Sequence, residues 1–312
     1  MADHSIAMKP AERIWIDGHF VDWSAAHIHV LTHTLHYGLG AFEGIRSYRR
    51  GDGRVAVFRL REHIDRLFDS CQVCGIAVPY NKEQIRDVCL QTLRENKLEN
   101  AYLRPLIVLG DPHMGLGSLE NPVRVVIAVF DWGAYLGEEG LRRGIRAKVS
   151  SFARGAVNSM MSKAKICGQY VGSVLAKREA VAVGYDEAIM LDAQGLVAEA
   201  SGENLFLIKA GVVMTAPLSS SILAGITRDT ILRLARDAGL EAREQTFTRD
   251  QLYCADEVFL TGTAAEVTPV REVDNRKIGA GEPGPLTRKL QAAYFEAVKG
   301  ERVPYPDWLT YV

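Results

Sequence analysis

The segment "MMSKAKICGQYVGSVLAKREAV", Met160–Val181, sets two lysines, Lys163 and Lys165, among small and apolar neighbours just ahead of a helical pattern. A surface lysine lays its stem along the protein and keeps its head in water. A desolvated amine instead has a lowered pKa and becomes a nucleophile for a carbonyl. Which reading applies, and to which lysine, depends on the rest of the chain.

The bulk composition narrows the field. With 312 residues the chain exceeds most single cores, so two domains are expected. Its 37 basic and 38 acidic residues nearly cancel, which gives no reason to expect nucleic acid or an anionic membrane as partner. The opening "MADHSIAMKPAERIW" carries charges and a proline where a signal peptide needs an apolar run. The apolar segment Val125–Phe130 is too short to span a bilayer, so a cytoplasmic protein is expected. Five cysteines, an odd number, argue against a disulfide framework. Cys71 and Cys74 form a C-x-x-C, but Ile64, Leu67, Phe68 and Cys71 fall at helical spacing ahead of Gly75, and the pair reads as a helix end.

The patterning alternates between the two periods. "RIWIDGHFV" reads as a strand pair around the hairpin dipeptide Asp17-Gly18. "RVAVFRL" is a strand leading into the helix just named, and "KEQIRDVCLQTLRENKL" is a second helix. "AYLRPLIVLG" and "VRVVIAVFDW" are strands joined by the glycine-rich loop Gly110–Pro122, long enough to suggest function. Glycines 133, 137 and 140 mark a linker over residues 132–137. Beyond it come a strand at "IRAKVSS", a helix from about Gln169 to Val183, and hairpins turning at 193–195 and 210–211. An amphipathic helix ends at Gly239, "EVFLTGTAAEVTPV" is a strand breaking into a Thr/Gly turn, and "PLTRKLQAAYFEAV" is a closing helix. The expectation is α+β, with residues 1–131 as a smaller domain and 138–312 as a larger one.

Several chemistries fail their context tests. His27, His29, His33 and His36 crowd together without an H-E-x-x-H helix motif or a nearby cysteine to complete a metal site, so no metal is expected. Gly38, Gly40 and Gly44 miss the dinucleotide spacing by one. Neither a nucleotide P-loop nor a G-x-S-x-G elbow is present. A lysine-centred site remains. Pyridoxal phosphate chemistry needs an amine, an acid for the ring nitrogen, a donor for the phenolic oxygen and a phosphate cup. Lys165, Glu199, Tyr170 and a set comprising Arg59, Gly225-Ile226-Thr227 and Thr261-Gly262-Thr263 offer each. Taken singly they are weak. Arg59 reads equally as a surface ion pair, Glu199 as a solvated hairpin residue and Thr227 as an N-cap.

Their order along the chain carries more. "LHYGLGAFEGIRSY", "VFRLREHIDRL", "AYLRPL", "WGAYLG", "EASGENLF", "GITRDTI" and "TGTAAEVTPV" together resemble a branched-chain amino-acid aminotransferase of the fold-type IV pyridoxal phosphate enzymes, nearly end to end. The resemblance implies a smaller N-terminal α/β sandwich and a larger C-terminal pseudo-barrel with flanking helices.

In that family the Schiff-base lysine stands shortly before a glycine and five residues before a tyrosine, which fits Lys165 with Gly168 and Tyr170, and leaves Lys163 a neighbour facing elsewhere. Ile166 and Cys167 depart from the small residues that follow the lysine in many relatives. The resemblance makes Glu199 the partner of the pyridine nitrogen and Tyr170 that of the phenolic oxygen. Arg59, Leu223, Ile226, Thr227 and Thr263 would hold the rest of the cofactor. Lys165 would also move the α-proton, with 2-oxoglutarate taking up the amine in a ping-pong cycle. Thr263 and Ala264, with Tyr102 nearby, would meet the α-carboxylate. Tyr37, Phe42, Gly44, Trp132 and Tyr135 would form the side-chain pocket, and Arg104 would reach the distal carboxylate of glutamate. The loop Gly110–Pro122 resembles the segment that reaches an active site across a dimer interface, implying at least a homodimer.

Rivals sharing the fold are D-amino-acid aminotransferase, aminodeoxychorismate lyase and (R)-amine transaminase. "AYLRPL", "WGAYLG" and "TGTAAEVTPV" favour the branched-chain enzyme. A cofactor-free Schiff-base lyase would need eight strand–helix units, against the hairpin-rich second half. A non-catalytic binding protein on this scaffold would be expected to lose Lys165 or Glu199.

Overall fold

A computed structural model describes residues 8–301 and 305–312. The stretch 1–7, read above for a leader, lies outside the described residues. The chain divides into two compact units. Among the described residues one unit comprises 8–132, 164–170, 298–301 and 305–312, and the other 133–163 and 171–297. The sequence pattern places all of 138–312 in one domain. Residues 164–170 group with the N-terminal unit instead, because their backbone bonds to the segment 38–42. The C-terminus does so because strand Leu309–Tyr311 pairs with strand Val55–Phe58.

The first unit is built on an antiparallel sheet. Its order runs Leu309–Tyr311, Val55–Phe58, Ile45–Arg49, Tyr102–Leu109, Val123–Asp131, Arg13–Ile16, His19–Asp22, with Gly40–Phe42 on Tyr102–Leu109. Asp17 and Gly18 turn the first hairpin at φ 48° and 100°, the left-handed geometry a two-residue turn demands. Helices Leu60–Val73 and Lys82–Asn96 pack beside the sheet. Ile64, Leu67, Ile85 and Leu93 are fully enclosed with Leu103, Ile107, Val125 and Ile127, the helical and alternating patterns meeting in one core. The second helix starts with a reciprocal capping box between Asn81 and Gln84. The first stops where Gly75 adopts φ 67°.

The second unit closes its sheet. Val197–Ala200 pairs with both Glu187–Leu191 and Asn204–Lys209, and the ring continues through Glu257–Gly262, Glu266–Val273 and Ile145–Val149. Six strands thus form a barrel-like sheet, extended by Val212–Thr215 and Ala242–Glu244. "EVFLTGTAAEVTPV", read as one strand and a turn, is a complete hairpin with Glu266 at φ 54°. Helix Ile226–Asp237 buries Ile226, Ile231, Leu232, Leu234 and Ala235 along one stripe. Among the described residues no helix is long and apolar enough to cross a membrane.

Candidate active site

The first unit brings several of the candidate residues together around residues 164–170. Phe42 donates its amide to the Lys165 carbonyl at 3.1 Å, Ala41 and Ile166 form an antiparallel bridge, and Gly168 donates to the Gly38 carbonyl at 2.9 Å. Gly38 must be glycine: its φ is 73°, and a Cβ there would lie 2.8 Å from the Gly168 Cα. So docked, Lys165 donates from Nζ to the Tyr170 hydroxyl at 2.5 Å. The same Nζ sits 4.9 Å from the centre of the Phe42 ring, which packs on Tyr170 at 4.9 Å.

Arg104 approaches that Phe42 ring too, its guanidinium carbon 4.9 Å from the centre, and lies 5.4 Å from the Tyr102 ring. It has no ion pair among the described residues, and its buried Nε lacks a hydrogen-bond partner. A cation held on aromatic faces without a carboxylate retains the capacity to pair with an anion. Tyr102 lies edge-on to Trp132 at 4.9 Å, and its hydroxyl occupies the space a Cβ on Gly44 would need. Tyr37 is half exposed and packs on His33 and His36 of its own helix. Arg59 is not a surface residue. It is buried, holds φ 52°, donates from Nε to Glu62 at 2.6 Å, and lies 5.2 Å from the Trp308 ring.

One cluster here is absent from the sequence reading. Glu43, fully enclosed between Phe42 and Gly44, accepts from Arg66 at 2.6 and 2.9 Å and from His63 Nδ1 at 2.8 Å. Burial works to raise its pKa, but Arg66 and His63 together hold it well below the usual carboxylate range. Burial lowers the His63 pKa despite the facing Glu43 carboxylate. The available signal was a glutamate inside the apolar "GAFEGI" together with His63 and Arg66 three apart on one helix face.

The second unit holds the remaining candidates. Glu199 is buried on strand Val197–Ala200 and pairs with Arg154 at 2.9 Å. The cation that a buried carboxylate requires is therefore already present in the chain. Its Oε2 accepts from Asn204 Nδ2 at 3.0 Å and from the Leu223 amide at 3.1 Å. Gly225 precedes helix Ile226–Asp237 without a side-chain cap, so Thr227 is a buried second residue of the helix and not its N-cap. Thr263 and Ala264 form the turn of the Glu257–Val273 hairpin, and the neighbouring Thr261 hydroxyl is buried without a partner. Lys163 donates to the carbonyls of Ser220 and Ile222, both at 2.7 Å, just ahead of Leu223. Burial lowers its pKa, yet its amine is engaged in holding a loop. Tyr135 lies 5.3 Å from the amine of Lys177, which pairs with buried Glu187. Among the described residues no group of three or more histidine, cysteine or acidic side chains could hold a metal ion.

The family model for amino-transferase class IV matches residues 40–273. The chain is 52% identical over 308 residues to the branched-chain-amino-acid aminotransferase of Pseudomonas aeruginosa, covering 98% of this chain and all of that one. The crystal structure of the Escherichia coli branched-chain amino acid aminotransferase superposes with a TM-score of 0.94 at 46% identity, covering 96% and 98% of the two chains. The T.th. branched-chain amino acid aminotransferase complexed with N-(5'-phosphopyridoxyl)-L-glutamate superposes at 0.90, with 46% identity and coverage of 96% and 98%.

Proposed function

Because the chain belongs to the amino-transferase class IV family, and so is an aminotransferase, we propose that it transfers the amino group of L-leucine, L-isoleucine or L-valine to 2-oxoglutarate with pyridoxal 5'-phosphate as cofactor. The observation that carries this reading is the Phe42 ring, which has the Lys165 amine and the uncompensated Arg104 guanidinium each 4.9 Å from its centre. A branched aliphatic side chain packs on the ring, while the distal carboxylate of glutamate meets the cation. One pocket then serves both half-reactions.

The residues fit the cofactor. The orphaned Thr261 hydroxyl and the helix start at Gly225, which lacks a side-chain cap, offer donors for a phosphate. In the same unit Glu199 offers a carboxylate for a pyridine nitrogen. Pyridoxal phosphate, when bound, supplies a carbonyl carbon for the amino group and a ring that accommodates the electron pair released at the substrate Cα. The chain's own residues do the rest. Lys165 Nζ is the amine that anchors the cofactor and, once released, takes the proton from Cα. The Tyr170 hydroxyl fixes where that nitrogen sits. Within the first unit Tyr102 and Trp132 wall the side-chain pocket and Arg104 orients glutamate; within the second, Thr263 and Ala264 offer amides to a carboxylate.

The exposed Leu116 and Leu119 in the loop 110–122 support a homodimer, since such apolar side chains mark an interface when clustered. Five unpaired cysteines, two of them wholly buried, support a reducing, cytoplasmic setting.

The test is a visible spectrum of the protein with pyridoxal phosphate, followed separately with L-leucine, D-alanine and (R)-1-phenylethylamine. The yellow band is bleached by L-leucine and not by the other two. Bleaching by D-alanine or the amine instead moves the substrate class, and no band at all removes the cofactor.

A further inference from the structure

Both main-chain groups of Lys165 are held. Its carbonyl accepts from the Phe42 amide at 3.1 Å, a backbone contact of the sheet. Its amide donates to Ser70 Oγ at 2.9 Å, a side chain on helix Leu60–Val73 nearly a hundred positions away in sequence. Ser70 is completely buried, which is unusual for a serine in a helix.

The hydroxyl has one hydrogen, and it is committed to the Arg66 carbonyl at 2.8 Å. That back-bond to the preceding turn fixes the serine rotamer and leaves its lone pairs toward Lys165. The turn cannot shift easily, because Arg66 is clamped on Glu43 by two hydrogen bonds and Glu43 donates its own amide to the Pro105 carbonyl at 2.8 Å. The chain from the strand bearing Arg104 to the Lys165 amide is therefore continuous through Glu43, Arg66 and Ser70.

We propose that Ser70 is a positioning residue for the lysine-centred reaction, registering the Lys165 backbone so that its Nζ arrives at the Tyr170 hydroxyl. The inference rests on the reading of Lys165 as the cofactor-bearing amine. Without Ser70 Oγ, the Lys165 amide loses its partner and the segment 164–166 is held on one side only. Displacements of about 1 Å at a reacting group cost on the order of 100-fold in rate. Substrate pockets built from Arg104, Phe42 and Trp132 do not involve Ser70, so the effect falls on turnover and not on substrate affinity.

The experiment compares Ser70→Ala and Ser70→Thr with the parent holoenzyme. For Ser70→Ala, kcat with L-leucine falls at least ~10-fold, KM stays within ~2-fold, and the pH midpoint of the cofactor's visible band shifts. Amide hydrogen exchange accelerates at Lys165, and the hydroxyl of Ser70→Thr restores the exchange and most of the rate. Should alanine fail to fold, Ser70→Cys, which keeps the side chain but weakens the acceptor, shows the same shifts. Parent values of kcat, band midpoint and Lys165 exchange in the folded variants overturn the proposal, as does a loss confined to thermal stability. Borohydride reduction of the holoenzyme and peptide mapping test the underlying assignment separately. A label on another lysine removes the role of Lys165 whatever Ser70 does, while the exchange readout still reports on the Ser70 contact.

Discussion

The amine of Lys165 donates to the hydroxyl of Tyr170 at 2.5 Å, and both side chains pack against Phe42. The pair is five residues apart, separated by the short 3-10 turn Cys167–Gln169 that leads into helix Tyr170–Ala182. Gly168 makes that turn possible by approaching Gly38 backbone to backbone. Three local features, a turn, a glycine contact and an aromatic floor, thus set where one nitrogen sits.

Under the proposed function, Arg104 distinguishes the two amino donors. It stands on Phe42 and Tyr102 without a counter-charge among the described residues. Replacing it by alanine lowers kcat/KM for glutamate by about 100-fold or more and that for leucine by less than about 3-fold. Steady-state kinetics with both donors decide the matter. Equal losses would make Arg104 a structural residue.

Gly225 is obligatory for a different reason than flexibility. A Cβ at this position would collide with Asn204 Oδ1, and Asn204 holds both Glu199 and the Leu223 carbonyl. Gly225→Ala therefore displaces Asn204 and weakens pyridoxal phosphate binding by about 10-fold. In an Asn204→Ala background the same substitution costs much less, because the clash is gone. Cofactor dissociation constants for the four proteins test this, and additive losses would refute it.

Glu203 gives the second unit a pH dependence. It is fully enclosed, and burial together with the nearby Glu187 raises its pKa from 4.5 to about 8. The unfolded chain releases this proton near the ordinary value, while the folded chain keeps it. The unfolded state thus binds fewer protons between these limits, and stability falls as pH rises from about 4.5 to about 8. Glu203→Gln removes this contribution, so its melting temperature gains on the parent as pH rises from about 4.5 to about 8. Parallel melting curves for the two proteins would contradict the assignment.

Much of this arrangement was written locally in the chain. Asp17-Gly18 announced its hairpin through turn chemistry, and the two helices of the first unit announced themselves by apolar spacing. Lys165, Tyr170 and Glu199 stood out as candidates because their motifs follow one another in order. The closure of the barrel-like sheet was not, since Val197–Ala200 pairs on both edges through contacts no local pattern encodes. Nor was the grouping of 164–170 with the N-terminal unit, which depends on Gly38, Phe42 and Ser70 meeting a segment far along the chain. Arg154 as the counter-ion of Glu199 escaped for the same reason, forty-five positions before it in sequence and adjacent only in the fold.

The most direct measurement of the central claim follows nitrogen itself. Protein loaded with pyridoxal phosphate is given 15N-labelled L-leucine and 2-oxoglutarate, and the products are read by mass spectrometry. Labelled glutamate and 4-methyl-2-oxopentanoate appear in equal amounts, and the Lys165→Ala protein forms neither. Labelled glutamate absent from the parent reaction, or formed undiminished by Lys165→Ala, would contradict the account.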